Sequence, residues 1–353
     1  MLSRVANSLY WMTRYIERAE NTARIVDVNL HLLLDHRKLN DSRFSDYWLP
    51  ILQSTGDEAL YHQLHDEVAG GNVTQFLVFS PKNANSIYSC IGSARENARM
   101  IRDQITMEMW EEINRLYLFL GSCAGREAWK LRPYDFLQEI KQSSLYLHGL
   151  ANATMARDEG WNFMQVGKFL ERADMTTRIL DVRYQSVPEK GMPPQMVAQV
   201  DSFEWSAILR SCSAWDAYRL VYSLDVHPVH VVEYLLLSDK FPRSVRFCAS
   251  ELDQALRSIA GGTLGSFSHS VEKLSGRLLA ELQFGTVEEV FFHGFHTYLD
   301  KLQQRFNAIG EAVFEAYVKR AFDTPSPEIE KQQEQQQQQV FAVSSALQEF
   351  GAR

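Results

Sequence analysis

Residues 14–28 read RYIERAENTARIVDV, and residues 168–182 read KFLERADMTTRILDV. At an offset of 154 the two stretches share 8 of 15 residues, where unrelated sequences share about one at ordinary amino-acid usage. The likeness continues outward. Trp48-x-x-Ile51-Leu52 aligns with Trp205-x-x-Ile208-Leu209, and Tyr61 with Tyr218, at an offset of 157. Phe76-Leu77 then meets Tyr234-Leu235, Ser86-Ile87 meets Ser244-Val245, and Cys90 meets Cys248, at 158. A slow drift of this kind is what small loop insertions leave behind. The chain therefore reads as one unit duplicated, the first copy over 1–155 and the second over 156–322, with the ends of the copies (103–155 and 261–322) aligning poorly.

The repeated unit is helical. Within 9–34 the apolar residues Trp11, Tyr15, Ala19, Ala23, Val26, Leu30 and Leu33 recur at three- and four-residue steps, which marks one buried helix face. Asn7 or Ser8 is the expected cap. The same period runs through 86–120, 134–155, 203–224, 229–237, 244–260, 270–284 and 286–320, without strand-like alternation between hairpin turns. Gly70-Gly71, Pro133, Pro242 and Gly261-Gly262 punctuate these helices, and the Pro- and Gly-rich stretch 186–195 connects two of them. The expected fold is an all-α helical bundle whose duplicated halves are related by a pseudo-twofold axis. Residues 323–353 are Gln-rich and low in complexity, and are expected to be a tail outside the core.

Composition narrows the function. At 353 residues, with 45% hydrophobic and 23% charged residues, the chain has ordinary globular values. Its formal charge is 36 − 44 = −8, which disfavours nucleic acid and anionic membrane as partners, because phosphates demand a surplus of Lys and Arg. Cys90, Cys123, Cys212 and Cys248 form no CxxC, so neither a disulfide framework nor a zinc cluster is expected. Arg4, Arg14, Glu17 and Arg18 interrupt the N-terminal apolar residues, and no run approaches the ~20 apolar residues of a membrane span. The default expectation is a cytoplasmic protein without a cofactor.

Tyr10-Trp11 followed by Arg14-Tyr15-Ile16-Glu17-Arg18-Ala19-Glu20, then Arg95-Glu96-Asn97-Ala98-Arg99 and Glu108-x-Trp110-x-x-x-Asn114, resemble the bacterial alpha-E family, a helical domain named for its Glu-Arg signature. The likeness covers residues 1 to about 320. It implies a place beside a circularly permuted ATP-grasp ligase and a transglutaminase-like peptidase, in an ATP-dependent system that makes or modifies peptide or amide bonds. The resemblance assigns no step to the helical domain itself.

The motif residues form stripes. At about 100° per residue, Glu17, Glu20, Arg24 and Asp27 cover only about 80° of the helix, and Glu171, Asp174, Arg178 and Asp181 repeat the stripe. Pairs Glu20–Arg24 and Asp174–Arg178 are available at i, i+4, with Asp27 and Asp181 within i, i+3 of the arginines. Arg18 and Arg172 point about 100° away from the Glu before them. Residues kept in both copies (Glu17/Glu171, Arg18/Arg172, Arg24/Arg178, Asp27/Asp181, Trp48/Trp205) fit the fold and its mutual packing, with the two copies set around a pseudo-twofold axis and satisfying each other's buried charges. Features of one copy need another reason. Arg95, Arg99 and Arg102 form a basic stripe whose counterparts are Asp253, Arg257 and Ala260, while Glu96, Asn97, Trp110 and Asn114 become Gln254, Ala255, Ser268 and Glu272. That stripe suits a carboxylate or phosphate ligand, or an acidic partner, through bidentate hydrogen bonds; the plainer reading is a solvated face paired with Glu96, Asp103 and Glu108.

Other chemistries have thinner support. No Glu-x-x-His occurs, so a di-iron bundle is not indicated. His293 with Glu289 and His296 with Asp300 form an i, i+3 histidine pair in which each member has an acid four residues away. Gly261 to Gly265 lacks the Lys-Ser/Thr of a phosphate loop. Three functions follow: a non-catalytic helical partner or substrate-presenting component of an ATP-grasp system; an enzyme on amide or peptide substrates with Glu17 or Glu171 as general base and arginines as carboxylate clamp; or a metal-binding bundle around His293 and His296.

Overall fold

The computed structural model describes residues 1–37, 48–184, 202–223, 226–261, 267–292 and 294–319. The connection 186–195, Gly262 to Gly265, His293 and the tail 323–353 lie outside the described residues. All regular structure among the described residues is helical, as the periodicity requires. In chain order the first eight helices are α1 (Ser3–Arg37), α2 (Leu49–Thr55), α3 (Glu58–Leu64), α4 (Gly70–Phe79), α5 (Ile87–Met100), α6 (Met107–Gly121), α7 (Cys123–Leu131) and α8 (Pro133–Thr154). Then come α9 (Glu159–Tyr184), α10 (Ser202–Ser211), α11 (Trp215–Tyr222), α12 (Pro228–Leu237), α13 (Val245–Ala260), α14 (Ser270–Phe284), α15 (Val287–Phe292) and α16 (Phe295–Phe314), closed by a π-helical turn, Glu315–Lys319.

The two long helices carrying the repeated motifs, α1 and α9, pack against each other at the centre. Helix α1 holds no Gly or Pro, so nothing breaks it over 35 residues. Helix α5 packs along α1 and α13 along α9, while α8 covers α1 and α16 covers α9. Ser86 caps α5 by accepting the Ser89 N–H, and Ser244 caps α13 by accepting the Phe247 N–H, at matching repeat positions. One apolar interior includes Val26, Leu52 and Phe76 together with Leu170, Leu235 and Leu256, so residues from both repeat stretches share a core. A second apolar cluster joins Leu9, Met12, Ala94, Met109, Leu147 and Phe163.

Several helix ends differ from expectation. Helix α1 starts at Ser3, with the Val5 and Ala6 N–H groups on the Leu2 carbonyl, so Asn7 and Ser8 lie inside it and cap nothing. The expected 86–120 helix breaks at Ile101, and Thr106 caps the next one by accepting the Met109 N–H. The 203–224 helix turns at Ser213, with φ 51°, and the 286–320 helix turns at Gly294, with φ 85°. Apolar periodicity survives such corners because the flanking helices bury the same side.

Close approach of α1 to α9 depends on Gly167. A Cβ there would lie 2.3 Å from the Tyr10 carbonyl oxygen and 2.5 Å from Thr13 Oγ1, whereas Thr13 Oγ1 donates to the Met164 carbonyl at 3.0 Å. Gly167→Ala is therefore expected to cost about 1–3 kcal/mol in urea unfolding, through forced separation of the helices. Gly149→Ala, where a Cβ meets nothing within 4 Å on α8, should be neutral or stabilising by up to ~1 kcal/mol. Equal effects of the two changes would refute the close-approach argument.

Candidate functional site

Glu17 and Arg18 are neighbours on α1 but do not serve each other. Glu17 accepts from Arg172 Nε and Nη2 at 2.7 and 3.0 Å, and Glu171 accepts from Arg18 Nε and Nη2 at 2.6 and 3.1 Å. Consecutive helical residues diverge by about 100°, so each arginine finds its acid on the opposite helix. The two motifs thus exchange partners across the α1–α9 contact.

Each exchanged pair has its own surroundings. Around Glu17, which is 0% exposed, Arg243 Nη1 donates at 2.8 Å and His148 Nε2 lies at 3.1 Å. Glu20 accepts from Arg24 and from Arg243 Nη2, the latter at 3.1 Å, and Arg24 Nη1 donates to the Ser211 carbonyl. Around Glu171, Arg14 Nε donates at 2.8 Å while its Nη1 donates to Tyr10 Oη at 2.8 Å. Arg18 Nη1 donates to Asn85 Oδ1, and Asn85 Nδ2 in turn donates to Asp57. Asp174 Oδ2 accepts from Arg178 Nε at 2.8 Å.

Burial opposes ionisation of the Glu17 carboxyl, but Arg172, Arg243 and the His148 bond outweigh it and hold Glu17 well below the usual carboxylate range. Burial likewise opposes ionisation of Glu171, yet Arg14 and Arg18 bring it down to about 2. Burial lowers His148, so its neutral ring donates Nε2–H to Glu17. Burial, aided by Arg172, lowers the Lys168 ammonium to about 8. Burial raises Asp174 above its ordinary value, with Arg178 resisting. A general base needs access to substrate and a titration near the working pH; Glu17 and Glu171 have neither.

The i, i+4 pairs Glu20–Arg24 and Asp174–Arg178 form as the spacing indicates. The i, i+3 contacts to the following Asp do not. Asp27 is taken by Lys141 of α8 at 2.6 Å, and Asp181 by His296 of α16 at 2.5 Å. His296 therefore pairs with Asp181 rather than Asp300, which accepts from Gln304. Among the described residues no three His, Cys, Asp or Glu side chains converge as metal ligands. Cys90 and Cys248 are buried thiols donating to the Ala84 and Pro242 carbonyls at 3.6 Å each, and burial pushes both up to about 12.

Arg95 and Arg99 of the basic stripe lie on α5, but Arg102 lies in the turn beyond Ile101, so the expected single helix face is broken there and the three arginines reach toward α6 from two elements. Arg95 Nε donates to Asn114 Oδ1 at 2.7 Å, and Arg95 and Arg99 both bond Glu96. Arg102 stacks over Trp110 at 4.7 Å from the ring centre, with Arg95 at 5.7 Å. Asn97 donates back to the Ser93 carbonyl of its own helix and stands apart from the group. On α13, Asp253 and Arg257, which align with Arg95 and Arg99, pair with each other at 2.6 Å. Arg14 opens the repeated stretch and stands one turn before Arg18, but its sequence position does not name Glu171 as its partner. His148 carries no sequence signal, and Arg243 carries a faint one, as the residue aligned with Asn85 one step before the matched Ser86 and Ser244.

Residues 1–318 match the Alpha-E family, described as a predicted alpha-helical domain with a conserved ER motif. An uncharacterized protein of Mycobacterium bovis is 24% identical over 298 residues, spanning 78% of this chain and 32% of the relative. An uncharacterized protein of Mycobacterium tuberculosis matches to the same extent. The chain thus spans about a third of the length of the curated relatives it matches. No solved structure matches.

Two outcomes follow from the paired charges. Arg172→Ala leaves the fully buried Glu17 with fewer donors and should cost about 3–5 kcal/mol in urea unfolding, against less than about 0.5 kcal/mol for Arg99→Ala at a side chain 61% exposed. Glu171 has a folded value of about 2 against an ordinary 4.5, so its ionised form stabilises the fold above about pH 4.5. That contribution, on the order of 3 kcal/mol, is lost as pH falls toward about 2. Urea midpoints measured against pH should show this acid loss in the native protein and a smaller one in Glu171→Gln.

Proposed function

The chain belongs to the Alpha-E family, and we propose that it acts as a non-catalytic helical partner or substrate-presenting component of an ATP-grasp-dependent system that forms or modifies peptide or amide bonds. The observation that carries this reading is the state of Glu17 and Glu171: both are buried, ion-paired and held ionised, so the signature serves the scaffold rather than bond chemistry. The exchange Glu17–Arg172 and Glu171–Arg18 supports a pseudo-twofold relation between halves 1–155 and 156–322.

The partner class, a circularly permuted ATP-grasp ligase with a transglutaminase-like peptidase as a second candidate, rests on the resemblance read from the motifs. The mycobacterial relatives agree with a life beside other domains, since about two thirds of their length lies outside the match. Four free thiols, with Cys123 exposed, suit the reducing cytoplasm. The face offered to the partner, or to a carboxylate on its substrate, is the stripe of Arg95, Arg99 and Arg102 beside Trp110, found in one repeat only.

The test is co-purification with a circularly permuted ATP-grasp ligase from the same organism, followed by ATP consumption with and without the chain. A stable complex and chain-dependent turnover are expected. The double change Arg99→Ala, Arg102→Ala should weaken the complex about tenfold or more while leaving the melting temperature unchanged. A ligase that neither binds the chain nor changes its turnover would overturn the proposal.

A further inference from the structure

Between α1, α9 and α16, beside the Glu171 pair, lies an open cavity of about 560 Å³. Pockets of this size take small organic molecules. Its walls are apolar where Trp11, Phe163, Leu170 and Phe306 line it, and its charged residues are Arg14, Asp174, Glu311 and Glu315. Arg14 is already engaged by Glu171 and Tyr10. Asp174 is engaged on one side only. Arg178 holds Oδ2, while Oδ1 is buried without a hydrogen-bond partner, in a residue 8% exposed.

The first repeat shows what is missing there. Glu20, aligned with Asp174 at an offset of 154, accepts from Arg24 and again from Arg243. The residue aligned with Arg243 is Asn85, which serves Arg18 and Asp57. One cationic donor fewer therefore stands around Asp174. On the facing helix, Gly310 keeps the space open: a Cβ there would lie 3.4 Å from Leu170 Cδ2 and from Tyr10 Oη.

We propose that this cavity binds an organic ammonium group carried on an apolar body, the ammonium donating to Asp174 and the apolar part lying against Phe163, Leu170 and Phe306. The terminal torsion of an Asp side chain is soft, so the carboxyl turns toward the cavity at little cost. A buried acceptor without a partner forfeits about 1–3 kcal/mol, which a donated N–H recovers. Glu311 on the wall adds attraction for a cation and works against phosphate or carboxylate ligands, while Glu315 is paired with Lys319 at 3.1 Å. The ammonium belongs either to a small alkylamine or to the N-terminus of a peptide that begins with a large apolar residue. In an amide-forming system the amine is the nucleophilic side of the new bond. That assignment rests on the function proposed above; the binding site does not.

Calorimetric titration of the full chain at neutral pH tests the site without any ligase, so its failure is distinct from failure of the ligase partnership. The probes are phenethylamine, its uncharged analogue phenethyl alcohol, Phe-Gly-Gly and N-acetyl-Phe-Gly-Gly. The amine is expected to bind about tenfold or more tightly than the alcohol, and Asp174→Asn should remove that preference. Gly310→Val, which places methyl groups in the cavity, should abolish amine binding while leaving Asp174 and Arg178 intact. Binding of Phe-Gly-Gly but not of its acetylated form assigns peptide N-termini; binding of phenethylamine alone assigns small amines. Equal binding of amine and alcohol, full binding by a folded Asp174→Asn protein, or no binding of either amine probe overturns the proposal. Where Asp174→Asn does not fold, the amine–alcohol comparison and Gly310→Val decide.

Discussion

The exchange of arginines between Glu17 and Glu171 is the constraint on which the arrangement of this chain depends. A carboxylate with no exposed surface is tolerable only while its donors are in place, and the principal donors to each acid come from the opposite helix. Neither α1 nor α9 can therefore be buried alone. Sliding one helix by a single residue shifts a side chain by about 1.5 Å and 100°, which breaks both bidentate contacts. An apolar seam tolerates such slips better, because dispersion has little directionality. Gly167 adds a steric condition to this electrostatic one, since only its missing side chain lets Thr13 reach the Met164 carbonyl.

Around this shared frame the surroundings differ. Arg243 closes the Glu17 side by bonding two acids at once, and His148 fills the remaining approach as a neutral donor. On the Glu171 side the corresponding loop supplies Asn85, and Gly310 contributes no side chain. The Glu17 carboxylate itself is enclosed by its donors, whereas Arg14 and Asp174 on the Glu171 side border a cavity. The basic stripe shows the same division: Arg102 lies exposed over Trp110, while Asp253 and Arg257, aligned with Arg95 and Arg99, pair with each other. Residues identical in the aligned stretches hold α1 on α9; residues that differ between them set the surroundings of each exchanged pair.

Much of the fold was legible in the sequence because it is local. Apolar spacing gave the helices, and i, i+4 spacing gave Glu20–Arg24 and Asp174–Arg178. The corners at Ile101 to Thr106, at Ser213 and at Gly294 were hidden because flanking helices bury a continuous apolar side. Partners far along the chain left no local mark. Asp27 and Asp181 were assigned to their own helices, although Lys141 and His296 on the covering helices take them. The exchange of the Glu-Arg pairs was legible in outline, as two copies satisfying each other's buried charges, but a helical wheel that turns Arg18 away from Glu17 does not say which acid it meets. The candidate stripe was legible as a group, apart from Asn97, whose amide is spent on its own backbone.

The network and the cavity are mechanically joined. Arg14 contributes its guanidinium both to Glu171 and to the cavity wall, and it lies over Trp11 at 4.8 Å from the ring centre. The contact that seats α1 on α9 thereby also fixes one side of the space in front of Asp174. A change in the Glu-Arg motif would move the cavity wall without touching a ligand, so loss of binding after such a change would not identify the motif as a contact. Asp174 and Gly310 differ in this respect. Each faces the cavity while standing outside the exchanged pairs, so their substitution separates what the space holds from what holds the helices together.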